Sequence, residues 1–201
     1  MKRKSQLAWI IIIAVLLIDQ LLKIWVKTHM YLGQEFKITD WFIIHFTENR
    51  GMAFGFELGD GDHAKLFLSL FRLVAIGAIC YYLYTLIRKN APVGLIVCIS
   101  LIFAGAIGNM IDSAFYGLIF NESYYQVAQM FPPEGGYAGF LHGKVVDMFY
   151  FPIIQTTLPA WIPFWGGQEF VFFRPVFNIA DASITIGVIT LLIFQKKFFP
   201  K

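Results

Sequence analysis

Four stretches of this chain are apolar at most positions for about 20 residues each, the length of helix that covers ~30 Å of bilayer hydrocarbon. They are roughly Leu7–Val26, Leu66–Ile87, Pro92–Ile111 and Val176–Phe194. Hydrophobic residues make up 58% of the 201 residues and charged residues 14%, against about 45–50% and 25% in a soluble domain. The natural solvent for such a chain is lipid. Disorder, a collagen and a disulfide-stapled secreted domain are excluded by the same balance. The formal charge of +3 does not point to nucleic acid, because the basic residues lie in short runs beside apolar segments.

Basic residues set the expected orientation. Lys2, Arg3 and Lys4, then Arg88 and Lys89, then Lys196, Lys197 and Lys201 occupy the two ends and the tight second connection, with no acidic residue among them. The positive-inside rule places both termini and the Arg88–Ala91 link in the cytoplasm. The longer segments, about 27–65 and 113–175, then lie outside. The first apolar run follows three basic residues as a signal peptide would. It has no small-x-small cleavage site, and Asp19-Gln20-Leu21-Leu22-Lys23 continues its helical pattern, so it reads as a retained span. In the first outer segment, Phe36–Thr39 and Trp41–Thr47 are rich in β-branched and aromatic residues and read as strands. The second holds a certain loop at Pro132-Pro133-Glu134-Gly135-Gly136. The expected fold, over residues 1–201 as one integral membrane domain, is mainly α: four transmembrane helices and a small β-containing periplasmic subdomain.

Ionisable groups inside spans cost roughly 2.5–3.5 kcal/mol each on insertion scales and mark candidate sites. Asp19 lies about 22 Å above Lys4, and Asp181 about 22 Å above Lys196, at ~1.5 Å per residue. Asp112 falls near the outer surface, and Asn109 and Asn178 sit about one turn from Asp112 and Asp181. Three of four spans thus bring Asp or Asn to one outer layer. Asp19 and Lys23 share a helical face at i,i+4 and can pair, a spacing that serves a tether as well as catalysis. Asp147, between Val146 and Met148, is poorly placed for a solvated loop and is expected at the membrane face, where it can meet Asp181. Two carboxylates in a low-dielectric cleft cannot both ionise cheaply. The charged member can then deprotonate a water while the neutral one hydrogen-bonds a scissile carbonyl.

The motifs occur in order: Asp19-Gln20-x-x-Lys23, Asn49-x-Gly51-x-Ala53-Phe54, Gly105-x-x-Gly108-Asn109-x-x-Asp112, His142-Gly143-x-Val145-Val146-Asp147 and Phe177-Asn178-x-Ala180-Asp181. This set resembles the lipoprotein signal peptidase (signal peptidase II) family of bacterial intramembrane aspartic peptidases, from about Leu7 to Phe194. The resemblance implies a catalytic pair, Asp147 and Asp181, supported by Asp19, Lys23, Asn49, Asn109, Asp112 and Asn178. It further implies removal of signal peptides from prolipoproteins, with cleavage just before a diacylglyceryl-modified cysteine, in the bacterial cytoplasmic (inner) membrane. The expected partners are those substrates and membrane lipid, with no nucleic acid, no metal and no cofactor, and the protein is expected to be a monomer. Departures from the family are Ser113 where an arginine is usual, an insertion over roughly 114–141, and a longer run between Asp147 and Asp181 through Trp161, Trp165 and Gly166-Gly167. Arg50 and Arg174 are candidates to replace the arginine.

Rival readings are weaker. Gly59-Asp60-Gly61-Asp62 matches the GxGD of presenilin-type proteases, but it lies in a polar loop and no span offers a Tyr-Asp partner. Asp60, Asp62 and His63 form a loop acid cluster more readily than a metal site. His29, His45, His63 and His142 share no ligand spacing, and His142 can orient the Asp147 segment or simply be solvated. HExxH, GxSxG and Walker-type motifs are absent from the sequence. Cys80 and Cys98 lie in apolar runs and read as small core residues. A small transporter or ion-conducting protein also uses buried acids, but places them near the midplane on interrupted helices.

Overall fold

The computed structural model describes residues 1–49, 62–172 and 174–199. Gly51, Ala53 and Phe54 of the Asn49 motif, Arg50, and Gly59, Asp60 and Gly61 lie outside the described residues. The elements in chain order are α1 (Lys2–His29), β1 (Glu35–Thr39), β2 (Phe42–Asn49), α2 (Asp62–Arg88), α3 (Val93–Ile111), a π-helical turn (Asp112–Tyr116), α4 (Gly117–Ile119), β3 (Val145–Tyr150), β4 (Ile154–Thr157), β5 (Glu169–Phe172), β6 (Val176–Phe177), α5 (Ile179–Ile193) and α6 (Gln195–Phe198).

Among the described residues three helical stretches are long and apolar enough to cross a membrane: Lys2–His29, His63–Arg88 and Val93–Ile119. Two boundaries differ from the sequence expectation. The third span does not stop before Asp112 but continues through the π turn to Ile119. The carbonyls of Ser113 and Ala114, on the widened turn, accept from the N–H groups of Gly143 and Leu141 at 2.9 and 3.3 Å. A Cβ on Gly143 would collide with the Asp112 carbonyl and come within 3.0 Å of the Gly117 nitrogen, so only glycine lets the segment ahead of β3 lie against the turn. The expected fourth span begins later than Val176: Val176 and Phe177 form a strand, and Asn178 caps the helix. The remaining helix has 15 residues, about 22 Å at ~1.5 Å each.

Helix α3 lies at the centre, packed against α1, α2 and α5. Its packing with α1 and α5 is close because Gly108 has no side chain: a Cβ there would lie 2.8 Å from Asp19 Oδ2 and 3.1 Å from the Ala180 methyl. Helix α2 touches fewer neighbours and presents Phe67, Phe71 and Val74 outward, as a lipid-facing helix does. That is why Cys80 on α2 is exposed, contrary to the sequence reading, whereas Cys98 on α3 is buried.

The sheet has the order β1-β2-β3-β6, all antiparallel. Its register pairs Thr47 with Asp147, Glu48 with Val146, Asn49 with Val145, and Phe149 with Phe177. Apolar residues form one cluster between the helices around Ile12, Leu95, Ile96 and Phe103. A second lies under the sheet around Val26, Phe46, Tyr116, Phe120, Val146 and Met148. Of the polar residues of the five motifs, Asp19, Gln20, Lys23, Asn49, Asn109, Asp112, Asp147, Asn178 and Asp181 are joined in one network of hydrogen bonds and ion pairs. Among the described residues strands β4 and β5 pair only with each other, and they carry an exposed tip with Trp161, Phe164 and Trp165.

Candidate active site

Asp147 and Asp181 reach the site from different elements. Asp181 occupies the third position of α5, in a reciprocal cap: the Asn178 side chain accepts from Asp181 N at 2.8 Å, and the Asp181 carboxylate faces Asn178 N at 3.4 Å. A carboxylate there also answers the positive end of the helix dipole. Asp147 is on β3, and the pairing of Phe149 with Phe177 leaves Asn178 beside it. The Asn178 amide donates to Asp147 Oδ1 at 2.7 Å, to Val146 O at 3.1 Å and to Asn109 Oδ1 at 3.0 Å. Asn49 donates to the other Asp147 oxygen, and Asn109 donates to Asp181 Oδ1 at 2.7 Å.

Beneath this pair lies a buried charge network. Asp19, Lys23 and Asp112 are all inaccessible to solvent. The Lys23 ammonium has three donors, and it spends them on Asp19 Oδ2 at 2.9 Å, Asp112 Oδ2 at 2.8 Å and Asn109 Oδ1 at 2.9 Å. Each carboxylate then grips a backbone N–H. Asp19 Oδ1 accepts from Ala180 N at 2.9 Å, and Asp112 Oδ2 accepts from Val146 N at 3.2 Å. Ala180 precedes Asp181, and Val146 precedes Asp147. One lysine, through its two carboxylate partners, thus holds the N–H of the residue before each of Asp181 and Asp147.

Several contributors carry no signal of their own in the sequence. Gln20 donates to Asp19 Oδ2, to Asp112 Oδ1 and to Gly108 O at 3.1, 3.0 and 3.2 Å, and accepts from the Tyr116 hydroxyl at 3.1 Å. Its place beside Asp19 in the first motif is the one hint available. Lys65 of α2 is buried and donates to Ser113 Oγ at 3.4 Å. Arg72, two turns further along α2, lies in Coulombic reach of Asp181 and Asp112. Helix α2 therefore brings positive charge to the position where the resemblance expects an arginine. Of the two replacements considered above, Arg174 is exposed and Arg50 lies outside the described residues. His142 is half-buried and contacts the Phe140 carbonyl at 2.8 Å. Among the described residues no group of three or more His, Cys, Asp or Glu converges as a metal's ligands would.

Asp147 is 4% exposed. Its carboxyl is pushed up to about 8, first by burial and then by the negative charge of Asp181, while Lys23 and the Asn49 hydrogen bond pull the other way. Asp181 and Asn109 are half-buried, so the pair is open on that side. The arrangement can hold one proton between two carboxyls and one water or carbonyl against them.

Apolar helices capped by a small sheet, with a buried charge network under two facing aspartates, describe a multi-span membrane protein built around one acid-lined site. The chain belongs to the signal peptidase II family, which it matches over residues 11–197, and is accordingly a membrane-spanning protease. It is 58% identical over 184 residues to the lipoprotein signal peptidase of Porphyromonas gingivalis ATCC 33277, covering 91% of this chain and 80% of that one. It is 37% identical to the lipoprotein signal peptidase of Amoebophilus asiaticus, covering 90% and 73%. A bacterial membrane enzyme solved by the in meso method at 1.9 Å superposes with a TM-score of 0.62 at 27% identity, covering 96% of this chain and 95% of that one.

Proposed function

We propose that this protein is an aspartic endopeptidase that removes signal peptides from diacylglyceryl-modified prolipoproteins, cutting on the N-terminal side of the lipidated cysteine. The observation that carries the reading is the paired grip of Asp19 and Asp112 on the N–H groups of Ala180 and Val146, the residues that precede Asp181 and Asp147. Such a scaffold fixes two carboxyls relative to each other, as a shared-proton pair requires. With its carboxyl at about 8, Asp147 keeps its proton at neutral pH. Asp181 then serves as the base: it takes a proton from water, which attacks the scissile carbonyl while Asp147 donates a hydrogen bond to the carbonyl oxygen. Asn49, Asn109 and Asn178 orient the pair. No cofactor enters this chemistry.

The single integral domain sits in the bacterial inner membrane as a multi-pass protein. We place α5 as its fourth span, both termini in the cytoplasm and the site toward the outer face. There the substrate's acyl chains, held in lipid, would set the depth of the bond to be cut. Cleavage of lipidated prolipoprotein by purified Asp147→Asn, Asp181→Asn and Asp112→Asn variants tests the assignment. Either of the first two should lose nearly all turnover while remaining folded. The double variant should be scarcely worse than either single one, because residues acting as a unit are not additive. Full turnover in Asp147→Asn with none in Asp112→Asn would move the dyad to a different aspartate.

A further inference from the structure

One turn beyond Lys23 on the same face of α1, a second lysine is buried. Lys27 is inaccessible to solvent and pairs with Glu48 of β2, whose side chain is also buried. The Ser123 hydroxyl joins them, accepting from Lys27 Nζ at 2.8 Å and donating to Glu48 Oε1 at 3.1 Å. The ammonium lies over the rings of Tyr137 and Phe120, 5.0 and 5.4 Å from their centroids. Lys144, just before β3, approaches Glu48 at 3.7 Å and Glu122 at 2.8 Å, and its backbone N–H donates to the Tyr137 hydroxyl at 2.7 Å. Among the described residues, the charged or titratable groups around Glu48 are therefore Lys27 from α1, Glu122 and Tyr137 from the inserted segment, and Lys144 ahead of β3.

Burying an ion pair is a poor route to stability, because desolvation offsets the attraction; the best-attested use of such pairs is to specify a register. The register here is that of β2 on β3. Glu48 opposes Val146 and Asn49 opposes Val145, the last two β2–β3 pairs among the described residues. Neighbouring residues on a strand face opposite ways. With Glu48 turned to Lys27, Asn49 is turned to the Asp147 carboxyl, to which its amide donates. A slip of one residue would reverse both. The ladder is already irregular between Ile44 and Thr47, so hydrogen bonding further down the strand does not enforce the register at its end.

We propose that Lys27 and Glu48, enclosed by Phe120, Ser123 and Tyr137 of the inserted segment, are positioning residues that hold Asn49 against Asp147. The insertion is thereby part of the catalytic apparatus. This rests on the reading of Asp147 as a dyad member.

The test is the pH dependence of kcat and KM for Glu48→Gln on a diacylglyceryl-modified signal peptide, in the full-length enzyme in detergent. The expected result is a loss of about tenfold or more in kcat, the size of a displaced catalytic contact, with KM nearly unchanged. The alkaline limb should move to higher pH, as it should in Asn49→Ala, because losing an amide donor favours the protonated carboxyl. Glu48→Gln/Asn49→Ala should be no slower than Asn49→Ala alone. If Glu48→Gln does not fold, Ser123→Ala keeps both charges and should lose about threefold in kcat, one modest hydrogen bond's worth, with the limb moved the same way. Wild-type kcat with an unmoved profile in either folded variant would overturn the proposal, and so would additive losses in the double variant. If Asp147→Asn is itself active, the dyad reading has failed; if Asp147→Asn is dead and Glu48→Gln is normal, only the positioning role has.

Discussion

Lys23 and Lys27 stand one turn apart on the same face of α1, both inaccessible to solvent, and they are held in opposite styles. Lys23 meets two carboxylates and an amide oxygen carried by α1, α3 and the π turn that continues α3. Lys27 meets one carboxylate, a hydroxyl and two aromatic rings carried by a strand and an inserted segment. The first site is rigid because helices set its geometry. The second is rigid only while a long loop stays folded over it. The contrast shows one helical face serving two layers, with charge balanced by acids in the membrane-side layer and partly by π faces in the outer one.

Lys23→Met should produce the largest effect on folding. It strands Asp19 and Asp112 together in a buried site and should cost roughly 3–5 kcal/mol, the range for breaking a buried pair. Lys27→Met strands only Glu48, with Lys144 still 3.7 Å away, and should cost about 1–3 kcal/mol. Chemical unfolding of both variants in the same micelles checks the order, and a reversal would break the comparison.

A pH scan separates the layers next. The Asp147 carboxyl is raised from 3.8 to about 8 in the folded protein, so between these values the native state holds a proton that the unfolded chain has released. Stability should therefore fall as pH rises across that window. Asp147→Asn should flatten the slope in thermal unfolding, whereas Lys27→Met should leave it in place. A slope retained in Asp147→Asn would show that another group carries it.

The smallest change sharpens the outer layer alone. Tyr137→Phe keeps the ring under Lys27 and Lys144 but removes the oxygen that accepts from Lys144 N. It should cost about 1 kcal/mol, read as a shift of the unfolding midpoint.

The two layers were not equally legible in the sequence. Asp19, Lys23, Asn109 and Asp112 stand out because charge and amide in an apolar helix are anomalous wherever they fall, and helical spacing gives their depth. Lys27 and Glu48 are equally buried, yet each sits at the edge of a polar segment, where a charged residue needs no explanation. Their bond spans 21 residues and is closed by Ser123, 96 residues from Lys27. Lys65 and Arg72 escaped notice for a related reason: the polar face of α2 is interrupted by apolar residues, so only its packing against the π turn reveals it. The end of the third span was misjudged because Asp112 reads as solvated, while in the fold Lys23, Gln20 and Val146 N take the place of water.

What the chain determined by itself is whatever depends on neighbours in sequence: apolar runs long enough to cross lipid, the Asn178-x-x-Asp181 cap, and the glycines that let helices and strand approach. The tertiary structure decided which groups face each other. Asp147 and Asp181 are separated by 34 positions, and no local rule brings β3 beside the start of α5. The register of β3 between β2 and β6 does so, together with the hold of Asp19 and Asp112 on the N–H groups of Ala180 and Val146, the residues ahead of the two aspartates. The physical reason is range: helix and cap formation are set within a turn or two, whereas a buried charge must find its partner anywhere in the fold.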